Sequence, residues 1–360
     1  MSWNAIFRPG AVLATLALTA CASYSPAPSV STSTPPASVA ATGPADLPEP
    51  EIAPVRIGLA LGGGATKGFA HIGVIKVLEA NGFTPEVVAG TSVGSVVGAL
   101  YASGMDAQTL EQKAMALNEG TIRDLQLSAA GLVKGRKLQD FINEQVGNQP
   151  LDKLPKPFVA VATRLEDGKR TVFARGNTGQ AVRASSSIPG LFEAVKIGKY
   201  HYVDGGVISP VPVDAARELG ADVVVAVDIS DKPRGKTPTS MLDTMNQSIA
   251  IMGQKLGQLE LANADVVVRP QVLDIGTLDF SKRSQAIAEG EKAALAALPE
   301  LQRKVQQVRE QRLRTAWEQL QQKQAASATA QMADQAATNC PARSSWQKLA
   351  DTVGLGSRCE

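Results

Sequence analysis

The stretch Val87-Val88-Ala89-Gly90-Thr91-Ser92-Val93-Gly94 decides the fold class of this 360-residue chain. Its first three residues form an apolar run that predicts a short buried strand, and Val96, Val97 and Leu100 follow at helical spacing. A Gly-x-Ser-x-Gly sequence between a strand and a helix predicts a sharp turn that exposes the hydroxyl of Ser92. Serine in such a turn indicates a nucleophile.

The same succession of strand and helix occurs on both sides of this turn. Arg56–Leu61 predicts a strand that runs into three glycines, and a helix with apolar residues from Phe69 to Leu78 follows it. Further strands, a hairpin and short helices are predicted at Pro157–Thr163, Asp167-Gly168, Thr171–Phe173, Ala181–Ser187, Val213–Leu219, Asp222–Asp228 and Val266–Val268. Strands that alternate with helices indicate an α/β fold whose mainly parallel sheet is covered on both faces.

The composition is that of an ordinary globular protein. Hydrophobic residues make up 44% of the chain and charged residues 19%, which suffices for a core. The net charge of +2 gives no field that would favour a nucleic acid as partner. The two histidines, His71 and His201, and the three cysteines show no zinc-binding spacing, so we expect no metal and no cofactor.

Residues 1–54 are expected to lie outside the fold. Residues 1–20 combine Arg8 with an apolar run that ends at Leu18-Thr19-Ala20-Cys21, the layout of a signal peptide. These last four residues resemble a bacterial lipobox, and an ordinary signal peptide that contains a cysteine is the alternative. Residues 21–54, rich in Ser, Thr, Pro and Ala, predict an extended tether. We therefore expect an exported protein, lipid-anchored through Cys21 at the periplasmic face of the outer membrane.

A globular region at residues 55–280 is expected to be followed by helices at 281–324 and a tail at 325–360. The predicted helices are Ala286–Leu298 and Glu300–Gln324, and the second has an apolar side and several arginines. It is either a surface helix packed on the domain or a basic amphipathic helix that touches a membrane. In an oxidising compartment Cys340 and Cys359 are expected to form a disulfide, and two free thiols are the alternative.

A serine nucleophile needs a base, and neither histidine suits an α/β-hydrolase triad. His71 falls inside the first helix, and His201 comes too early in the chain. Asp204 follows an extended segment and precedes Gly205 and Gly206, which open the space around its carboxylate. A buried aspartate beside a serine can accept its proton directly. A simple Asp-Gly-Gly turn is the alternative that these residues leave open.

The loop Gly62-Gly63-Gly64-Ala65-Thr66-Lys67-Gly68 joins the first strand to the first helix. Glycines at a helix N-terminus bring several backbone N–H groups into one concavity, which binds an anion. That anion is either a phosphate or the oxyanion of a tetrahedral intermediate. The spacing is not that of a Walker A loop, but the loop alone leaves open a nucleotide-binding protein.

Four motifs in this order resemble those of bacterial patatin-like phospholipases. They are Leu61–Val74, Gly90–Ser95, Ala184–Phe192 and Asp204–Gly206. The similarity extends from about Val55 to Leu298, which includes the whole predicted globular region and the first of the helices after it.

The resemblance implies a three-layer α/β/α sandwich with a mainly parallel sheet and a Ser–Asp dyad that needs no metal or histidine. Ser92 would attack an acyl carbonyl and Asp204 would act as its base. Backbone amides of Gly62, Gly63, Gly64 and Ala65 would stabilise the oxyanion. Supporting positions are Lys67, Gly68, Gly90, Gly94, Gly205 and Gly206.

The implied substrates are carboxylic esters of lipids, so the protein would be a phospholipase A, a lysophospholipase or a general acyl esterase, with membrane phospholipid as its expected partner. An acyltransferase that uses an acceptor other than water is the rival within the same chemistry. Lys67 stands where the family usually has arginine. Lysine keeps the positive charge but lacks the planar guanidinium that forms two parallel hydrogen bonds. The alternative to a role in the motif is that Lys67 is only a surface charge at the helix end.

Overall fold

The apolar runs of the sequence become the strands of one mixed sheet. The computed structural model describes residues 49–117, 135–230, 232, 239–276 and 279–338, and its compact unit begins at Pro50. The predicted signal peptide, Cys21 and the pair Cys340 and Cys359 lie outside the described residues. In chain order the strands are β1 (Ile57–Leu61), β2 (Val87–Thr91), β3 (Phe158–Arg164), β4 (Arg170–Phe173), β5 (Val195–Ile197), β6 (Tyr200–Asp204), β7 (Val223–Val227) and β8 (Val266–Val268).

The described strands lie in the order β5-β6-β3-β2-β1-β7-β8, and β4 forms a hairpin with β3. Strands β3, β2, β1, β7 and β8 are parallel to one another. Strands β4 and β6 pair with β3 in the antiparallel sense, and β5 pairs with β6 in the same way. The carboxyl ends of β1, β2 and β7 therefore meet at one edge, where ligands bind in open α/β sheets.

Helices cover both faces of this sheet. They are α1 (Phe69–Ala80), α2 (Val93–Ala102), α3 (Ala107–Ala116), α4 (Arg136–Gln145), α5 (Thr178–Ser185), α6 (Val213–Glu218), α7 (Met241–Leu261) and α8 (Arg283–Thr338). Alternate strand residues point to opposite faces. Leu59 and Val225 pack in the core that contains α1, α2 and α8, whereas Ala60 and Val224 pack in the core that contains α6. The architecture is the three-layer α/β/α sandwich with a mainly parallel sheet that the sequence predicts.

The C-terminal helices differ from the prediction. One helix, α8, includes both predicted segments and continues through Pro299 to Thr338, beyond the boundary expected at Gln324. A proline inside a helix costs about 3 kcal/mol. Here Leu298 and Leu301, on either side of Pro299, are both buried in the core, and this packing offsets the cost.

The amino-terminal part of α8 is a surface helix packed on the domain. It packs closely on α1 at Gly290, where a Cβ atom would stand only 2.0 Å from the carbonyl oxygen of Ala70. Val305 and Val308 also pack against the core, whereas residues 321–336 are exposed. Among the described helices, none combines the length and the apolar character needed to cross a bilayer.

Candidate active site

Ser92 occupies a strained turn between β2 and α2. Its backbone has φ 54° and ψ −127°, a region that non-glycine residues rarely adopt. The Ser92 carbonyl accepts a hydrogen bond from Ser95 N at 2.8 Å and another from Ser95 Oγ at 2.6 Å. These bonds begin α2, and the whole residue Ser92 is only 6% exposed, so the turn does not expose it as the sequence predicts.

Glycines make this turn possible. A Cβ atom at Gly94 would lie 2.1 Å from the carbonyl oxygen of Leu61, and one at Gly90 would lie 2.4 Å from the carbonyl oxygen of Gly94. Both distances are far below van der Waals contact, so any side chain would force the backbone apart. The Gly-x-Ser-x-Gly sequence thus has a steric cause in the approach of α2 to the end of β1.

Asp204 is the last residue of β6, and its side chain reaches Ser92. Ser92 Oγ donates a hydrogen bond of 2.5 Å to Asp204 Oδ2, and Gly206 N donates one of 2.7 Å to Asp204 Oδ1. Asp204 is 6% exposed. Burial raises the pKa of its carboxyl to about 6, although the hydrogen bonds from Ser92 and Gly206 act in the opposite direction. At neutral pH the group is an ionised carboxylate of raised basicity.

One segment connects the backbones of both residues. Ser92 N donates to Ser185 Oγ at 3.0 Å, and Ser185 Oγ in turn donates to the carbonyl of Val161 at 2.6 Å. Two residues later, the carbonyl of Ser187 accepts a hydrogen bond from Asp204 N at 2.8 Å. Ser185 and Ser187 belong to the predicted motif Ala184–Phe192. The sequence identified the motif but gave no signal for this connecting role.

The hydrogen bonds of the two histidines are made to residues other than Ser92 and Asp204. The His71 side chain is buried, and its Nε2 is hydrogen bonded to the carbonyl of Gly62 at 2.9 Å. Burial lowers the pKa of His71 to about 4, so the ring is neutral and holds the glycine loop. His201 is half-buried, and its Nδ1 lies 2.9 Å from Glu166 Oε1.

Two of the four expected oxyanion donors are occupied. Gly62 N donates to the carbonyl of Val227 at 3.1 Å, and Gly63 N donates to the carbonyl of Pro210 at 3.0 Å. Within the described residues, the amides of Gly64 and Ala65 donate no hydrogen bond, and both residues line a cavity together with Ser92 and Asp204. The geometry therefore restricts the expected oxyanion donors in this loop to Gly64 and Ala65.

Three further motif positions have structural explanations. Lys67 is fully buried, so the alternative that it is a surface charge at the helix end is wrong. Gly68 faces α2, because a Cβ atom there would lie 2.2 Å from Val93 Cγ2. At Gly205 a Cβ atom would stand 2.1 Å from the carbonyl oxygen of Val161, so only glycine fits directly after Asp204.

Two cavities of different character meet at Ser92. The first has a volume of about 230 Å³ and an almost wholly apolar wall that includes Phe69, Val96, Leu100 and Phe141. The second, of about 320 Å³, has a more polar wall and is lined by the glycine loop, Asp204 and part of α7. Ala65, Ser92, Ile188 and Leu191 line both cavities. Such a site accommodates a molecule with one apolar and one more polar part.

A family model described as Patatin-like phospholipase matches residues 59–217. This range contains the glycine loop, Ser92, the segment that connects the two backbones, and Asp204. The chain contains a patatin-like phospholipase domain. Its patatin region covers strands β1 to β6, and the later strands β7 and β8 with α7 and α8 complete the sheet and its cover.

Curated relatives carry related names. An uncharacterized NTE family protein of Mycobacterium tuberculosis is 37% identical over 183 residues, which are 50% of this chain and 51% of that protein. A second one from the same organism is 28% identical over 274 residues, 69% of this chain and 47% of the relative. Lysophospholipase NTE1 of Pyricularia oryzae is 28% identical over 277 residues, 68% of this chain and 18% of that protein. The chain thus spans about half the length of these relatives or less.

Solved structures similar to this patatin-family chain include VipD from Legionella pneumophila, with a TM-score of 0.40 and 13% identity over 69% of this chain and 67% of that one. The type III effector protein ExoU, from Pseudomonas aeruginosa, gives a TM-score of 0.37 and 16% identity over 85% of this chain and 71% of that one.

Proposed function

We propose that this patatin-family protein is a serine acyl hydrolase that cleaves carboxylic ester bonds of lipids through Ser92 and Asp204. The observation that carries the proposal is the hydrogen bond of 2.5 Å between Ser92 Oγ and Asp204 Oδ2, at the junction of an apolar and a more polar cavity. Nucleophile and base within hydrogen-bond reach are the signature of an activated serine.

In the proposed reaction Asp204 accepts and releases a proton twice, first the proton of Ser92 and then one from water. As Ser92 Oγ attacks the acyl carbon, its proton passes to Asp204 Oδ2, and the carbonyl oxygen becomes an oxyanion. The intermediate collapses, the ester C–O bond breaks, and the leaving alcohol takes the proton from Asp204. A water molecule then attacks the acyl-enzyme, gives a proton to Asp204 and releases the fatty acid, and the proton returns to Ser92.

The glycine loop supplies the oxyanion donors in this scheme. Gly64 N and Ala65 N border the cavity at Ser92, and preorganised amides there would act on the charge as it develops. Since Gly62 N and Gly63 N are already bonded within the fold, fewer amides of this loop can face a phosphate. This counts against the nucleotide-binding alternative.

Cavity chemistry supports lipids as the substrate class. The apolar cavity suits an acyl chain, and the more polar one suits the alcohol part of the ester. The name of the Pyricularia oryzae relative, a lysophospholipase, supports the same class. We propose phospholipids and lysophospholipids as substrates, with water as the acyl acceptor.

The test compares the purified wild type with Ser92→Ala, Asp204→Asn and the control Ser103→Ala, which changes a serine at the other end of α2. Release of fatty acid from phospholipid and lysophospholipid micelles is measured, together with labelling by a fluorophosphonate probe. We expect a loss of roughly 10³-fold or more in both site variants, no labelling of Ser92→Ala, and an unchanged Ser103→Ala. Equal hydrolysis by all four proteins would refute the dyad.

Product analysis separates hydrolase from acyltransferase. Phospholipid is incubated with the enzyme and candidate acceptors such as glycerol or lysophospholipid, and the products are resolved. Free fatty acid as the main product supports hydrolysis. Transfer of the acyl group to an acceptor at a rate above its release into water would replace the proposal with the acyltransferase alternative.

We also propose that Cys21 carries a lipid and that the protein is anchored at the periplasmic face of the outer membrane. The lipobox-like residues Leu18–Cys21 and the tether behind them support this placement. Cells that express the chain are grown with radiolabelled palmitate and fractionated. We expect label and membrane association in the wild type and neither in Cys21→Ser; equal label in both would refute the anchor.

A further inference from the structure

A charged side chain outside the family match contacts the loop that lies between the two halves of the site. Glu260 is near the end of α7, beyond residues 59–217. Its Oε1 accepts a hydrogen bond from Ser209 Oγ, and its Oε2 accepts one of 2.9 Å from Val211 N. Its carboxylate is therefore bonded at both ends of the segment Ser209–Val211.

The opposite side of this segment holds the catalytic elements. The carbonyl of Pro210 accepts the hydrogen bond of 3.0 Å from Gly63 N, directly before the proposed oxyanion donors. The carbonyl of Ser209 accepts a hydrogen bond of 2.8 Å from Thr91 Oγ1, directly before the nucleophile. Glu260 is thus connected to both the glycine loop and the nucleophile turn through the same three residues.

Among the described residues, Glu260 is the acceptor for the one N–H group of this segment that the backbone does not satisfy. Pro210 has no N–H group, and Ser209 N is used in a hydrogen bond of 2.8 Å to the carbonyl of Gly205. Val211 N therefore depends on Glu260 as its acceptor, and Val211 is fully buried. A buried amide that loses its acceptor is unfavourable and drives a local rearrangement.

Burial of the Glu260 carboxylate costs free energy, because it removes the charged group from water. Burial raises the pKa of Glu260 to about 7, against the effect of the hydrogen bonds from Ser209 and Val211. Of the charged groups nearby, Asp214 on α6 acts in the same direction as burial, and Arg170 on β4 acts against it. The protein withdraws an acidic group from water where an apolar residue would only pack, which indicates a specific task.

We infer that Glu260 is a positioning residue for the Ser92 reaction: it fixes Ser209–Val211, and this segment fixes Gly63 and Thr91. The inference rests on the proposed function. The inference predicts that Glu260 affects the chemical step and leaves substrate binding almost unchanged. The reason is that Glu260 lines neither of the two cavities and does not contact Ser92.

The experiment compares four full-length variants with wild type: Glu260→Ala, Glu260→Asp, Glu260→Gln and the control Glu300→Ala, an exposed glutamate on α8. Hydrolysis of a soluble short-chain ester gives kcat and KM. Each protein is titrated with the fluorophosphonate probe, so that kcat refers to competent sites, and its thermal unfolding is recorded.

We expect kcat to fall tenfold or more in Glu260→Ala and Glu260→Asp, with KM within about twofold of wild type, because alanine lacks the acceptors and aspartate is one methylene too short. Glutamine has the required length and an acceptor for Val211 N, so Glu260→Gln should keep kcat within about threefold. Glu300→Ala should match wild type.

Three results would overturn the inference. They are wild-type kcat per titrated site in all Glu260 variants, a loss confined to KM, and a loss in Glu260→Gln as large as in Glu260→Asp. If Glu260→Ala does not fold, the contrast between Gln and Asp still decides. Failure of the proposed function is distinct, because it would appear as absent hydrolysis and labelling in the wild type itself.

Discussion

Lowering the pH should switch off ester hydrolysis in the range where Asp204 becomes protonated. Only the ionised carboxylate can accept the proton of Ser92, so the rate should follow the fraction of ionised Asp204 and rise with pH. Burial raises the pKa of this carboxyl from an ordinary 3.8 to about 6. The transition is therefore expected well inside the range in which the protein can be assayed.

The magnitude follows from that value. With a pKa of about 6, roughly one tenth of the enzyme has an ionised Asp204 at pH 5 and roughly nine tenths at pH 7. We expect kcat/KM to fall about ninefold to tenfold between pH 7 and pH 5. An aspartate with an ordinary pKa would still be more than about nine-tenths ionised at pH 5, and the rate would barely change.

The assay uses a soluble p-nitrophenyl ester read at the isosbestic wavelength of the product, because the physical state of lipid aggregates itself changes with pH. Initial rates are measured from pH 4.5 to 8.5 at constant ionic strength, with Ser92→Ala as the blank. Samples held at pH 5 and returned to pH 8 must recover full activity. A profile that is flat from pH 5 to pH 8 would refute the assignment of Asp204 as the base.

Four further outcomes are expected. Gly94→Ala places a methyl group 2.1 Å from the carbonyl oxygen of Leu61 and should cost about 3 kcal/mol or more in urea unfolding; a loss under 1 kcal/mol would contradict the steric argument. Val96→Phe narrows the apolar cavity and should lower kcat/KM for long-chain esters about tenfold while kcat/KM for acetyl esters stays unchanged. An equal effect on both esters would show that this cavity does not bind the acyl chain. Asp204→Asn should raise the free energy of unfolding by about 3 kcal/mol at pH 8 and leave it nearly unchanged below pH 4. Folding raises the pKa of this carboxyl, so the group contributes stability below its pKa in the unfolded chain. That contribution is lost as the pH rises through its pKa in the folded protein. His71→Gln should remove the His71 contribution, which falls by about 3 kcal/mol between pH 6.5 and pH 4 because burial lowers the pKa of the ring to about 4. Relative to the wild type, the variant should therefore gain about 3 kcal/mol over this range; chemical denaturation across it tests both variants.

The pattern of apolar residues along the chain predicts those strands and helices that are well buried in the fold. The continuous apolar runs at β1, β2, β3 and β7 mark strands of a covered parallel sheet, and the turn at Asp167-Gly168 marks the hairpin of β3 with β4. Strand β5 and helices α3, α4 and α7 were not predicted. Strand β5 is three residues long with a mixed pattern, and much of α7 is exposed, so neither has a strong apolar signal.

The site is predictable where residue type determines the chemistry and hidden where contacts determine it. Gly90, Ser92 and Gly94 mark the nucleophile turn by their identity alone. The choice among the amides of Gly62 to Ala65 depends on which carbonyls lie opposite them, namely those of Val227 and Pro210, and these are distant in sequence. Glu260 has no motif around it, because its role depends only on where the end of α7 meets the loop after Asp204.

The features that make the site reactive also reduce stability. Ser92 has a backbone conformation that costs of order 1–3 kcal/mol, and the ionised Asp204 is buried at a cost of about 3 kcal/mol near neutral pH. The neutral His71 acts in the opposite direction with pH, since the stability it contributes is lost on acidification while the cost of Asp204 disappears. Between pH 7 and pH 5, where the activity falls tenfold, the contributions of Asp204 and Glu260, whose pKa values are raised, grow and offset the loss from His71. We therefore expect the loss of activity at pH 5 to report protonation of the base and not unfolding of the protein.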